Sequence, residues 1–186
     1  MGAGFDNIGY TQILSNLFRS LGISNNAKNK AMLDALEKRA YDCEFTYHGC
    51  SQCVLLALQE VFDLKDEAVF KASSGLGGGV GRMQSVCGAL LGGALVLGMK
   101  YGRSINELEN TEVLFRSFKP VEKLYRRFEK EFGTVMCRQI REQWLGEYLD
   151  TKILEQYEKS VAMGIYKRCS EIASKTARMT GELLLE

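Results

Sequence analysis

Six cysteines and a single histidine are the residues of this chain best suited to carry chemistry. The sharpest setting is Cys87-Gly88-Ala89-Leu90-Leu91-Gly92. If Ser85 caps a helix opening at Val86, Cys87 falls in its first turn. There, unpaired backbone N–H groups and the positive dipole end favour a thiolate, which makes Cys87 the expected nucleophile. Gly88 and Gly92 lie four apart and leave one helix face bare, so another backbone or a cofactor can approach closely. Each interior glycine disfavours a helix by about 1 kcal/mol against alanine. Gly88, Gly92, Gly93 and Gly98 therefore need a packing or functional reason, and tight packing round an inert buried cysteine is the plain alternative.

Cys50-Ser51-Gln52-Cys53 is the second signal. Two thiols three apart share a helix face, which suits redox chemistry or metal ligation. Val54 follows Cys53 where covalent haem attachment needs a histidine, and no second such pair completes a zinc site. Cys43, Cys137 and Cys169 each stand on an apolar helical stripe, where a free cysteine behaves as a small hydrophobe. Taken together they point further, because a bundle gathers the core-facing positions of separate helices. Four converging thiolates would hold zinc or an iron–sulfur cluster, or form exchanging disulfides. His48, as the lone histidine, removes HExxH sites, Glu-x-x-His di-iron sites and any mechanism that needs two imidazoles. It is left as a neighbour tuning Cys50, as a ligand, or as a helix-start residue.

The elements that must position these residues read as helices. There is one proline, Pro120, and almost no period-2 alternation. Ile13, Leu14, Leu17, Phe18 and Leu21 form one stripe, with Gly22 as a stop. Leu33, Leu36, Ala40, Cys43 and Tyr47 form a second. Cys50 to Phe62 is apolar on most faces and should be largely buried. Asp66 to Lys71 suits a short helix, and Gly75 to Gly81 a tight turn or close backbone approach, since it lacks the Gly-Lys-Ser/Thr of a phosphate loop. Val86 to Tyr101 is a helix with no polar face, expected at the centre of the fold. Asn106 to Phe132 is long and charge-laced, with Lys119, Lys123, Arg126 and Arg127 interleaved with glutamates on a solvated face. It should bend or break at Pro120. Cys137, Ile140 and Trp144 recur at helical spacing, and a last helix carries Ile165, Cys169, Ile172 and Thr176. The expected architecture is all-α, one multi-helix bundle over residues 1–186 with a buried glycine-rich central helix.

Composition narrows the function. With 24 basic and 23 acidic residues the chain has no bulk reason to seek nucleic acid or an anionic membrane. The longest apolar run, Val86 to Met99, is too short for a bilayer span. No secretory leader is visible at Met1 to Asn7, so six cysteines suggest a reducing, cytoplasmic setting with thiols, redox partners or metal ligands in place of a disulfide framework.

The pattern resembles a four-cysteine redox family named C_GCAxxG_C_C after its motif. The matching residues are Cys50 in Gly49-Cys50-Ser51-Gln52, the Cys87-to-Gly92 segment, Cys137 in Cys137-Arg138-Gln139, and Cys169, over roughly Leu33 to Ala177. The resemblance implies a redox-active protein built on Cys50, Cys87, Cys137 and Cys169. Cys53 and Cys43 are additional to that set, and Cys53 would serve as a resolving or alternative thiol. In the disulfide version Cys87 attacks. In the metal version all four thiolates are ligands, with Gly88 and Gly92 giving the cofactor room. The expected partner is an electron-transfer or thiol partner. The competing expectation is a non-catalytic helical scaffold whose cysteines only pack.

Overall fold

The computed structural model describes residues 24–186, and the stripe from Ile13 to Leu21 lies outside the described residues. Ser24 opens the first helix, α1 (Asn25–Tyr47), by accepting the Ala27 N–H on its hydroxyl. Leu33, Leu36, Ala40 and Cys43 bury one face of α1, but Tyr47 is 74% exposed. The packed stripe therefore ends a turn earlier than its spacing suggests. His48 closes α1 in a left-handed conformation (φ 58°) and turns the chain into α2 (Cys50–Phe62) before Tyr47 reaches a neighbour.

A short α3 (Glu67–Ser73) comes after α2, capped by Asp66, and then a glycine-rich loop. Next come α4 (Gly88–Tyr101), α5 (Thr111–Phe132), α6 (Cys137–Leu145), α7 (Leu154–Ala162) and α8 (Ile165–Leu185). No strand occurs among the described residues; the one β-type contact is an isolated antiparallel bridge between Val86 and Met136. The fold is all-α. No helix of the described residues is long and apolar enough to cross a membrane.

Two elements differ from the sequence expectation. α5 is not broken at Pro120, the stronger of the two outcomes expected there, and carries the proline inside it. Proline removes one backbone hydrogen bond there, while Leu124, Phe128 and Phe132 bury the C-terminal half of the helix. α7 has no counterpart in the sequence reading. Its one buried residue is Ser160, and Leu154 and Val161 face solvent, so no apolar period announces it.

The core forms where α1 and α8 pack together, with α2 against α1, α4 and α8, and α4 in turn against α5 and α8. Leu36, Leu55, Leu58, Leu97, Leu124 and Phe128 are wholly buried within it. Gly92 explains how α2 and α4 come so close: a methyl group there would collide with the Ser51 carbonyl oxygen and lie 3.1 Å from the Ser51 Cα. Backbone atoms yield little, so Gly92→Ala should destabilise by about 1–3 kcal/mol although alanine is the better helix former by about 1 kcal/mol. Gly98 has nothing within 4 Å of the same position. Gly98→Ala should gain up to about 1 kcal/mol. Denaturant titration of both variants tests the pair: equal shifts would mean that the α2–α4 contact is not what demands glycine at position 92.

Candidate functional site

Four helices bring a cysteine to one cavity of about 530 Å³: Cys50 from α2, Cys87 from the residue that precedes α4, Cys137 from α6 and Cys169 from α8. That volume lies within the usual range of small-molecule pockets. Cys50 and Cys137 are the first residues of their helices, and Cys87 is the N-cap of α4. None of these three helix starts has a side-chain cap, and their positive dipole ends meet at the cavity. Glu44, His48, Arg82, Arg141, Arg168, Tyr157 and Tyr166 contribute the other ionisable groups of the wall.

Backbone pairing fixes Cys87 against Cys137. The Cys87 N–H donates to the Val135 carbonyl (2.8 Å), the Cys137 N–H to the Ser85 carbonyl (2.7 Å) and the Arg138 N–H to the Gln84 carbonyl (3.0 Å). Cys50 is fixed by the glycine at the start of α4: a methyl group at Gly88 would lie 2.5 Å from Cys50 Sγ. The face left bare by Gly88 and Gly92, expected to give a cofactor room, is thus filled by Cys50 Sγ and the Ser51 backbone. The open space lies beside Cys87 and Ala89.

The loop before α4 is strained. Gly78, Gly79, Val80, Gly81 and Arg82 all have φ between 57° and 72°, and Gln84 has φ 58°. Left-handed backbone costs a non-glycine residue about 1–2 kcal/mol, more for a branched one such as Val80, and such strain gathers at functional sites. Here it places Arg82 in the cavity wall, its guanidinium on the Thr151 carbonyl and 4.8 Å from the Tyr157 ring centroid. It also aims the Gly78 N–H at the Cys50 sulfur.

The thiols are not activated as the sequence suggests. α4 begins two residues later than expected, so Cys87 caps the helix from outside its first turn and Ser85 does not. Burial pushes its pKa well above the usual thiol value, neighbouring Cys50 and Cys137 add to this, and the Ala89 N–H opposes it only in part. Burial likewise pushes Cys50 up to about 12, with Glu44 the next cause. It raises Cys137 and takes Cys169 well above the usual value. Every pair among the four cysteines feels the other's charge, so ionising one makes the rest harder to ionise. Among the described residues, no three His, Cys, Asp or Glu side chains surround a common point closely enough to hold a metal ion.

Cys53 does not join this group. It is buried at the α1–α2 contact with its sulfur 2.7 Å from Cys43 Sγ, one thiol donating to the other. Of the six free cysteines Cys43 alone is easier to ionise than usual, through its hydrogen bond with Cys53 and then the nearby Arg39 charge. The spacing Cys50-x-x-Cys53 thus belongs to two different sites.

Sequence reasoning missed Glu44. It is 2% exposed, and burial raises its pKa to about 8, with hydrogen bonds from Cys53 and the Gly49 backbone pulling the other way. Its place one residue after Cys43 on α1 is the only hint, because a carboxylate beside a buried stripe ordinarily faces solvent. Arg82, Arg141 and Arg168 were missed too, since nothing in their spacing separates them from the other surface charges. His48 ends α1 and does not start α2. Its ring stacks on Tyr166 at 3.6 Å and its Nδ1 lies 3.0 Å from the Glu44 carbonyl oxygen.

No curated protein and no solved structure matches the chain. A family model does, over residues 48–183, which takes in the cysteines at 50, 53, 87, 137 and 169 and leaves Cys43 outside. The chain therefore belongs to the family described as "Putative redox-active protein (C_GCAxxG_C_C)".

Proposed function

We propose that the protein is a thiol–disulfide redox protein whose working groups are Cys50, Cys87, Cys137 and Cys169. Two of these thiols give up two electrons and two protons to a partner disulfide. An intramolecular S–S bond forms, the partner's S–S bond breaks, and the partner leaves as two thiols. The observation that carries this reading is the meeting of four cysteines from four separate elements at one cavity. A purely structural role needs no such meeting: packing cysteines are served equally well by scattered positions in the core. Membership of the family described as "Putative redox-active protein (C_GCAxxG_C_C)" supports the reading as well. The high thiol pKa values imply that attack is slow until a bound partner or a nearby cation draws a proton away.

The test is equilibration in glutathione redox buffers, then acid quenching, alkylation and peptide mapping. The expected result is the paired loss of two thiols among positions 50, 87, 137 and 169 over a narrow range of potential. Mapping is essential, because Cys43 and Cys53 can pair on their own. If the four cavity thiols stay reduced across the range, the disulfide reading is wrong. Metal analysis of anaerobically purified protein adds a second check. Stoichiometric metal, with the four thiols alkylated only after chelation, would replace the disulfide by a thiolate-bound metal centre.

A further inference from the structure

We infer that the cavity holds a small oxyanion, a carboxylate or an inorganic one, beside the four thiols, with Arg141, Arg168 and Glu44 as its hydrogen-bond donors. That such an anion is a substrate rests on the redox reading above; that the site binds anions does not.

Three buried side-chain polar atoms among the described residues have no hydrogen-bond partner: Glu44 Oε2, Arg141 Nε and Arg168 Nε. All three residues line the thiol cavity. Such an atom costs about 1–3 kcal/mol, more for a charged group, and native structures rarely leave several together without a ligand. The three share one hydrogen-bonding character. Two are guanidinium N–H donors, and the third is a carboxyl whose burial keeps it protonated at neutral pH, so that it donates as well.

Charge agrees with this. Arg141 spends one N–H on Ser160 Oγ (2.9 Å) and pairs with no carboxylate among the described residues. Arg82 likewise has no carboxylate partner there. Arg168 keeps an ion pair with Glu171 (3.1 Å) but leaves its Nε free. The positive charge of Arg141 is felt at both Cys137 and Cys169, which puts it among the thiols. The starts of α2, α4 and α6 turn positive dipole ends toward the same cavity, although the N–H groups of Cys87, Cys137 and Arg138 are already bonded to carbonyls. Neutral thiols, unlike thiolates, do not repel an incoming anion. The substrate class this chemistry selects is a low-molecular-weight disulfide bearing carboxylates.

Sulfate is the first probe, because it is an oxyanion that thiols do not reduce under these conditions. Calorimetric titration of the reduced protein should show saturable 1:1 binding, weakened at least about tenfold in Arg141→Met, the loss expected for one charge-assisted hydrogen bond. Arg126→Met, which removes an exposed guanidinium outside the cavity, should bind sulfate as the wild type does. If Arg141→Met fails to fold, Arg141→Lys serves, since it keeps the charge and loses the Nε–H. The second arm compares oxidation of the cavity thiols by dithiodiglycolate, a dianionic disulfide, with oxidation by cystamine, a dicationic disulfide of similar size. A preference of about tenfold for the anion, removed by sulfate and by Arg141→Met, identifies the organic source. Sulfate binding with no reaction toward either disulfide leaves the anion site standing and removes the disulfide reading. Absence of saturable sulfate binding, or binding indifferent to Arg141→Met and Arg141→Lys, overturns the inference and leaves solvent as the only partner of the three atoms.

Discussion

Glu44→Gln should be more stable than the wild-type protein at pH 8 and no more stable at pH 4. The folded protein holds the Glu44 proton with a pKa raised to about 8 by burial, against an ordinary value of 4.5. A group whose folded pKa is raised favours folding least when it must ionise. The cost is absent below pH 4.5, grows through the interval between the two values, and levels off above pH 8. At pH 7 the interval from 4.5 corresponds to about 3 kcal/mol. A buried glutamine amide returns about 1 kcal/mol of that if its own donor lacks a partner, leaving a net gain of roughly 2 kcal/mol. Urea titrations at half-unit steps between pH 4 and pH 9 give the curve directly. A wild-type stability that is flat across this interval, or a variant that is weaker at pH 8, would show that the carboxyl is ionised in the folded state and held by a cation.

Gly79→Ala should lose about 2–5 kcal/mol, more than any single loop substitution ordinarily costs, and should disorder the thiol cavity at the same time. Two separate effects add there. Gly79 has φ 72°, a conformation that costs an alanine about 1–2 kcal/mol. A methyl group at this position would also lie 2.7 Å from the Ser85 nitrogen and 2.8 Å from the Cys137 Cβ, so it overpacks the contact by roughly a further 1–3 kcal/mol. Gly81, also left-handed but with nothing within 4 Å, isolates the first effect. Gly81→Ala should cost only about 1–2 kcal/mol. Thermal unfolding of both variants, with alkylation rates at Cys87 and Cys137, separates strain from collision. Equal losses in the two would mean that the approach of the loop to Cys137 is not a tight contact.

The sequence made some of this legible, and the residues show why. The bounds of α2 were legible in its apolar run from Cys50 to Phe62, and α6 and the first half of α8 in apolar residues at helical spacing. The start of α4 was misplaced because Ser85 is chemically a good cap, whereas the chain spends residues 78–86 on a left-handed loop and a bridge to Met136. That choice depends on contacts with α6 about fifty positions away, beyond the reach of local propensity. The meeting of four thiols was readable in outline, since each cysteine marks a core-facing place on its own element. The partition of Cys53 away from Cys50 was not. Two side chains three apart on a helix share a face only loosely, and α1 supplies Cys43 to one while α4 supplies the room at Gly88 to the other. Glu44 and the arginines were invisible because burial, not residue type, gives them their character.

The three backbone hydrogen bonds joining the entries of α4 and α6 give the cavity unequal stiffness. Separating Cys87 from Cys137 means breaking all three together, whereas Cys50 and Cys169 ride on helices whose backbone bonds are internal. The spacing of Cys87 and Cys137 is therefore held by backbone hydrogen bonds, while Cys50 and Cys169 are held by the packing of α2 and α8 in the core. For the proposed thiol exchange, backbone pairing then sets the distance between Cys87 and Cys137, and core packing sets their distances to Cys50 and Cys169.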